Sequence, residues 1–204
     1  GLIAEREQGI TIDVAYRYFT TDRRSFICAD TPGHEEYTRN MACGASFADL
    51  AIILVDTKQG GLTQTRRHAR ICSLMGIRYF IFALNKMDLV GYQKERFDEI
   101  QSDIVKLQQE VGLENVVIIP VSATEGDNIT IRSENMPWYT GPTLLSHLEE
   151  VDVTEATENE QGFYMPVQRV CRPNHEFRGF QGQIEHISAA SAGVATPPAA
   201  KFTT

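Results

Sequence analysis

The stretch that decides the fold of this chain is SFICADTPGH, residues 25–34. Residues 25–29 form an apolar run that predicts a buried strand. Asp30 ends the run, and Pro32 and Gly33 favour a tight loop whose backbone N–H groups can face an anion. We therefore expect a strand that ends in a ligand-binding loop at residues 30–34, which we call the first loop.

A second unit of the same kind lies further along the chain. The apolar run of residues 79–84 leads directly into residues 85–88, Asn-Lys-Met-Asp, which we call the second loop. Polar loops at the ends of buried strands are where an open α/β sheet binds its ligand. The two loops together predict a ligand site at one edge of such a sheet.

The residue types of the first loop suit phosphate and Mg²⁺ chemistry. Asp30 can hold Mg²⁺ directly or through water, because carboxylate oxygens are ligands that this ion prefers. Gly33 lets its own N–H approach a phosphate with no Cβ in the way. We expect His34 to lie beside that phosphate.

The second loop suits the recognition of a guanine base. The carboxylate of Asp88 can accept two hydrogen bonds from a base edge with adjacent N–H donors, which guanine has and adenine lacks. We expect Lys86 to lie along the base and Asn85 to brace the loop.

Strands and helices alternate through the rest of the first 150 residues. Residues 50–55 form a continuous apolar run that predicts a central strand buried on both faces. Residues 116–121 predict another buried strand, which ends at Ser122 and Ala123. The spacing of apolar residues predicts helices over residues 63–75 and 94–111. The polar stretch with small residues at 35–46 predicts a helix after the first loop, and residues 143–148 predict a closing helix with Pro142 near its start. This alternation is typical of a doubly wound, mostly parallel sheet in an α/β fold.

Two further expectations concern the flanks of these elements. Alternating apolar residues over 10–19 predict a strand that pairs with residues 25–29 as a hairpin. In the helix over 63–75, Thr63 is expected to act as the cap and His68 to be a surface residue. The residues expected to face inward there are Leu62, Ile71, Cys72, Leu74 and Met75.

In this order, and each at the end of an apolar strand, the two loops resemble the third and fourth G motifs of GTPases of the translation-factor class. By the same resemblance, Ser122 and Ala123 match the fifth G motif, in which a backbone N–H binds the guanine O6 and the Ser steadies the carboxylate of Asp88. Residues 5–12 resemble the switch I segment, and residues 35–46 occupy the place of switch II.

The resemblance implies GTP and Mg²⁺ as cofactors. It makes Thr11 and Asp30 the Mg²⁺ ligands and His34 the catalytic residue that orients the attacking water. Without it, Thr11 would be an ordinary strand residue and His34 would only pack on the following helix. The implied GTP-binding residues are Asp30, Thr31, Pro32, Gly33, His34, Asn85, Lys86, Met87, Asp88, Ser122 and Ala123.

Three stretches indicate which subfamily of these GTPases the chain resembles. They closely resemble the GTPase subunits of bacterial ATP sulfurylases and comprise residues 125–128, 136–145 and 166–182. That resemblance implies that GTP hydrolysis here drives a catalytic ATP sulfurylase subunit to make adenosine 5′-phosphosulfate and pyrophosphate from ATP and sulfate. One alternative is a translation elongation factor that delivers aminoacyl-tRNA, for which a Gly-Arg-Gly-type segment is expected at residues 174–182. The other is a non-catalytic fragment that serves as a binding module.

The domain organisation follows from the same patterns. We expect a partial GTP-binding domain at residues 1–150, an acidic linker at 151–161, the start of a β-barrel domain at 162–187 and an atypical low-complexity tail at 188–204. The phosphate-binding pattern Gly-x-x-x-x-Gly-Lys-Ser/Thr does not occur in the sequence. We therefore expect the P-loop, with its strand and helix, upstream of Gly1, and an incomplete sheet in this fragment.

Composition bounds the partners. A net charge of −8 over 204 residues argues against nucleic acid and membrane surfaces as partners. The apolar runs are too short for a membrane helix, and we expect no signal peptide. The cysteines are scattered without metal-ligand spacing, which favours reduced thiols in the cytoplasm. They are Cys28, Cys43, Cys72 and Cys171.

Overall fold

The computed structural model describes residue 7 and residues 9–153, 163–172, 178–182 and 186–187. The chain divides into two compact units, Gly1–Val153 and Thr154–Thr204. Most of the predicted acidic linker and the whole predicted tail at residues 188–204 lie outside the described residues.

The first unit is an α/β structure in which strands and helices follow each other along the chain. Its elements are β1 (Ala15–Thr20), β2 (Ser25–Asp30), α1 (Thr38–Ala45), β3 (Leu50–Asp56), α2 (Thr63–Leu74), β4 (Tyr79–Asn85), α3 (Lys94–Val111), β5 (Asn115–Pro120) and α4 (Leu144–Glu150). Two short 3₁₀ turns, Glu35–Tyr37 and Met87–Val90, precede α1 and α3.

The sheet of this unit is parallel, with the spatial order β3, β4, β5. The central strand β4 is buried from residue 80 to residue 84. A parallel strand covered on both faces needs apolar side chains at every position, which is why this run shows no alternation. The predicted α/β fold with a mostly parallel sheet is confirmed.

The strands β1 and β2 form an antiparallel hairpin with Ala15 opposite Asp30 and Thr20 opposite Ser25. The predicted pairing is therefore confirmed, although β1 begins at Ala15 and not at residue 10. The predicted burial of β2 is wrong, because Ile27 is 69% exposed. Within the described residues the hairpin is a sheet of its own, and two strands alone bury little surface.

The strand β3 is covered on one face only by the described residues. Ile53 and Val55 are buried, whereas Ile52 and Leu54 are exposed. Successive side chains of a strand point to opposite faces, so this alternation means that one layer of structure packs on β3. The prediction that residues 50–55 are buried on both faces is wrong here.

Helix α2 presents the predicted face to the core only in part. Cys72 is buried and Leu62 and Ile71 pack against the core as predicted, whereas Leu74 and Met75 are exposed. Thr65, Ala69 and Cys72 are its buried residues, and their spacing of four and three defines the inward stripe. Leu74 is 80% exposed because it falls off that stripe. The cap position is Leu62, whose side chain makes no capping hydrogen bond, and Thr63 is the first helical residue.

Helix α3 has the predicted bounds and packs against the sheet. Its buried residues recur at helical spacing, and Gly112 ends it with φ +78°, a conformation that glycine adopts without strain. Helix α4 is capped by Thr143, whose Oγ1 accepts a hydrogen bond from the Ser146 N–H at 3.2 Å. The buried residues of α3 are Phe97, Ile100, Ile104 and Leu107.

The second unit contains short antiparallel strand pairs. β6 (Phe163–Tyr164) pairs with β9 (His186–Ile187), and β7 (Arg169–Cys171) pairs with β8 (Gly179–Gln181). Four short strands do not define a closed barrel, so the barrel remains a prediction.

None of the helices in the described part of the chain is both long enough and apolar enough to cross a membrane.

Candidate nucleotide-binding site

The register of the sheet places polar loops at one edge. Asp56 pairs with Asn85, and Leu84 pairs with Pro120, so the carboxyl ends of the three parallel strands lie side by side. The second loop follows β4 at this edge. Residues 122–123, which we call the third loop, follow β5 there. This is the edge at which open α/β sheets bind ligands.

The second and third loops are joined by the side chain of Asn85. Its Oδ1 accepts hydrogen bonds from the Lys86 N–H at 2.8 Å and from the Ala123 N–H at 3.0 Å. The Met87 N–H donates to the Val121 carbonyl at 3.2 Å, and the Met87 side chain is fully buried. The two loops therefore behave as one braced unit, although about 35 residues separate them.

Asp88 is oriented by the third loop. The buried Ser122 hydroxyl donates to Asp88 Oδ1 at 2.7 Å. Because that oxygen is already engaged, the direction of the carboxylate is set before any ligand arrives. Hydrogen bonds to ionised acceptors are among the stronger ones, so this contact restrains the side chain effectively.

Lys86 has a partner that the sequence did not indicate. Its Nζ lies 2.6 Å from Oδ2 of Asp56, the last residue of β3, and its backbone has φ +66°. Such a conformation is uncommon for residues other than glycine and clusters at functional sites. The hydrogen bond from Lys86 lowers the pKa of Asp56, against the opposing effect of burial. The one sequence signal for Asp56 was its position at the end of an apolar run.

The first loop is held by α2 through the carbonyl of Gly33. Arg67 Nη2 donates to it at 3.2 Å, and His68 Nε2 lies 3.0 Å from it. Arg67 also forms an ion pair with Glu35 at 3.2 Å. His68 is therefore half-buried against the first loop, and its prediction as a plain surface residue is wrong. Burial lowers the pKa of His68.

His34 is exposed at the start of the 3₁₀ turn. Its carbonyl accepts the Tyr37 N–H at 3.1 Å, and the two rings lie 6.3 Å apart between centroids. Asp30 is exposed at the end of β2, whereas Pro32 is buried and anchors the loop. The His34 side chain is thus available to a ligand.

Thr11 belongs to the segment that leads into β1, whose first residue lies opposite Asp30. Asp30 pairs with Ala15, and the segment before Ala15 is tied to α1 by a hydrogen bond from Asn40 Nδ2 to the Ile12 carbonyl at 2.8 Å. A hydroxyl and a carboxylate are oxygen donors of the kind that Mg²⁺ prefers. The described residues contain no cluster of three His, Cys, Asp or Glu side chains that could hold a metal ion. A metal here would need phosphate oxygens and water as further ligands.

This combination of a parallel sheet with anchored polar loops at its carboxyl edge defines an α/β protein of the nucleotide-binding class. The family described as "Elongation factor Tu GTP binding domain" matches residues 2–159, and the chain belongs to that family.

The curated proteins that are similar to this chain carry two names, sulfate adenylyltransferase subunit 1 and bifunctional enzyme NodQ. The chain is 54% identical over 205 residues to "Sulfate adenylyltransferase subunit 1" of Francisella tularensis subsp. tularensis (strain WY96-3418), covering 100% of the chain and 43% of that protein. The protein of the same name from Rhizobium meliloti (strain 1021) is 58% identical over 185 residues, with 90% and 37% covered. "Bifunctional enzyme NodQ" of Rhizobium sp. (strain N33) is 58% identical over 190 residues, with 93% and 29% covered. The chain spans less than half the length of these relatives.

Solved structures agree on the fold. Sup35 complexed with GDP is 30% identical, with a TM-score of 0.56 over 83% of this chain and 42% of that one. The bacterial selenocysteine-specific elongation factor EF-Sec is 22% identical, with a TM-score of 0.60 over 91% of this chain and 30% of that one, a likeness in fold alone.

Proposed function

We propose that the chain is the GTP-binding part of a sulfate adenylyltransferase subunit 1. In this function GTP and water give GDP and phosphate, and the hydrolysis drives a catalytic partner subunit to convert ATP and sulfate into adenosine 5′-phosphosulfate and pyrophosphate. The observation that carries the proposal is the 54% identity to a protein of that name over the whole chain.

The second and third loops would bind the guanine base. Asp88, held by Ser122, would accept the two N–H donors of guanine, and the exposed Ala123 N–H, which donates to Asn85 Oδ1 in this structure, would be shared with O6. The Lys86 stem would cover the base plane while its ammonium group stays on Asp56. In support of this assignment, Lys86, Asp88, Ser122 and Ala123 belong to the braced unit, and Asp56 ends the neighbouring strand at the same edge of the sheet.

The first loop would face the phosphates. Gly33 would offer its N–H to the terminal phosphate, with Thr31 and Pro32 shaping the turn, and the exposed His34 would orient the attacking water. Thr11 and Asp30 would hold Mg²⁺, which neutralises phosphate charge when bound. Phosphoryl transfer asks a protein mainly for positioning and charge neutralisation, so this small set of groups suffices at its end of the site.

To couple GTP hydrolysis to sulfate adenylylation, the chain needs a segment whose conformation differs between the GTP and GDP states. A ligand shifts an equilibrium only through contacts that differ between two states. The 3₁₀ turn Glu35–Tyr37 and α1 suit this role because the turn has no buried residue and α1 has only three, and segments of low local stability are the ones that a ligand can reorder. The catalytic ATP sulfurylase subunit would respond to this difference between the GTP and GDP states through its interface with the present chain.

The test uses a full-length protein. The matched region of the Rhizobium meliloti subunit 1 is replaced by this chain, and binding of fluorescent GDP and ADP is measured beside the same hybrid carrying Asp88→Asn. We expect guanine-selective binding that Asp88→Asn removes, and GTP-dependent sulfate adenylylation once the catalytic subunit is added. A hybrid that binds GDP and ADP equally would overturn the assignment of the base site.

A second candidate function is that of a translation elongation factor that delivers aminoacyl-tRNA, favoured by the match of residues 2–159 to the family of the elongation factor Tu GTP binding domain. The two functions predict that different molecules co-purify with the hybrid. A sulfurylase subunit should retain the catalytic subunit through size-exclusion chromatography, whereas a translation factor should retain tRNA. Recovery of tRNA without the catalytic subunit would favour the translation factor over the sulfurylase subunit.

A further inference from the structure

Asp127, in the segment that follows the third loop, gathers three side-chain donors. Its carboxylate accepts hydrogen bonds from the Tyr92 hydroxyl at 2.9 Å, from Ser133 Oγ at 2.5 Å and from Asn135 Nδ2 at 3.4 Å. Three donors from different points of the chain fix this carboxylate in position. None of the four residues belongs to the loops assigned to the nucleotide.

The backbones of Asp127 and Tyr92 reach those loops. The Asp127 carbonyl accepts the Ser122 N–H at 3.2 Å, and the Tyr92 N–H donates to the Met87 carbonyl at 2.8 Å. Since Met87 precedes Asp88, and Ser122 Oγ binds Asp88, the contacts close a ring. The ring runs through Asp88, Ser122, Asp127, Tyr92 and Met87.

Tyr92 is itself held in an unusual state. Its φ is +56°, a conformation that costs a bulky residue of order 1–3 kcal/mol and persists only where the surroundings impose it. Trp138 Nε1 donates to its carbonyl at 3.1 Å. Burial, followed by the bond to Asp127, raises the pKa of Tyr92 to about 12, in keeping with a hydroxyl that donates to a carboxylate.

We infer that Tyr92 and Asp127 are positioning residues for guanine recognition, which set the place of the Asp88 carboxylate from both sides through Ser122 and Met87. The inference rests on the proposed function and adds two specificity-determining residues to it. Both residues contact the nucleotide loops through the backbones of Met87 and Ser122, so loss of the Tyr92–Asp127 bond should impair discrimination at the base edge more than overall affinity.

The test measures the ratio of the dissociation constants of inosine diphosphate and GDP in the full-length hybrid. Inosine lacks the 2-amino group, so the ratio isolates the contact of Asp88 with that group. Tyr92→Phe removes one hydroxyl and should lower the ratio by about threefold to tenfold, the effect of one hydrogen bond. The matched control is Tyr139→Phe, whose hydroxyl donates to the Pro142 carbonyl at 2.9 Å outside the ring. It should leave the ratio unchanged.

Each outcome decides something. A ratio near one in the unsubstituted hybrid overturns the proposed base site itself, and with it this inference. A clear ratio that Tyr92→Phe leaves intact overturns the inference alone, as does an equal fall in Tyr139→Phe. If Tyr92→Phe does not fold, Asp127→Asn tests the same bond, because its amide cannot accept all three donors in their present places. An unchanged ratio there counts against the inference as well.

Discussion

Lys86 and Asp56 lie thirty residues apart and meet at 2.6 Å, so the end of β3 holds the side chain that leaves the end of β4. The Asp56 side chain is 23% exposed and that of Lys86 is 49% exposed. Two further donors, the N–H groups of Lys58 and Gln59, bind the other carboxylate oxygen at 2.9 and 3.2 Å. Asp56 therefore orders its own loop as well as Lys86.

Replacing this carboxylate should cost stability in two separable parts. We expect Asp56→Asn to lower the free energy of unfolding by roughly 1 kcal/mol, because the ion pair is lost and the neutral amide oxygen is a weaker acceptor for the N–H groups of Lys58 and Gln59. Urea unfolding of the chain measures it. A double-mutant cycle with Lys86→Met should give a coupling of about 0.2–1 kcal/mol for the pair alone. If the losses in stability from the two single substitutions add up to that of the double variant, the contact between Lys86 and Asp56 does not stabilise the chain.

Neighbouring residues of α3 offer a sharp contrast in packing. Ile104 is fully buried and Val105 is 41% exposed. Ile104→Ala should destabilise the chain by about 2–5 kcal/mol, since it removes apolar surface and leaves a cavity. Val105→Ala should change stability by less than about 0.5 kcal/mol. Thermal and urea unfolding measure both. Similar losses at the two positions would mean that α3 does not pack as described.

The elements that the sequence predicted well are those whose environment is complete. The strand β4 is covered on both faces and the helix α3 on one stripe, so their apolar patterns match their burial. Ile52 and Leu54 in β3 are as apolar as their buried neighbours, yet they are exposed. The pattern of apolar residues indicates which side chains of a segment can be buried. It does not indicate whether another element of the fold packs over them.

The contacts of the site were harder to predict than its loops. The motif residues, such as Asp30 and Asp88, can be recognised in the sequence by residue type and spacing. Arg67 and His68 gave no such signal, because their bond to Gly33 depends on where α2 crosses the first loop. Tyr92 and Asp127 likewise meet only through the fold. Tertiary partners of this kind cannot be read from a local window.

His68 predicts a dependence of stability on pH. Burial lowers its pKa below the ordinary 6.5, so the folded chain binds this proton less tightly than the unfolded chain. The free energy of unfolding should therefore fall as the pH drops from about 7 through the folded pKa. His68→Gln keeps a donor for the Gly33 carbonyl and cannot titrate. The difference in stability between the two proteins, measured by urea unfolding from pH 7.5 to 5, should change in favour of Gln at low pH. A constant difference would contradict the pKa shift.

The sharpest prediction for catalysis concerns His34, which is exposed at the first loop and makes its hydrogen bond to Tyr37 through the backbone. Because that backbone contact survives substitution, His34→Ala should leave the turn intact and remove only the imidazole. We expect GTP turnover by the full-length hybrid to fall by about 100-fold, with the dissociation constant for GTP changed by less than about threefold. Single-turnover hydrolysis and fluorescent nucleotide titration measure the two quantities. A parallel loss of binding would make His34 a ligand of the phosphate, and unchanged hydrolysis would leave the orientation of water to another group.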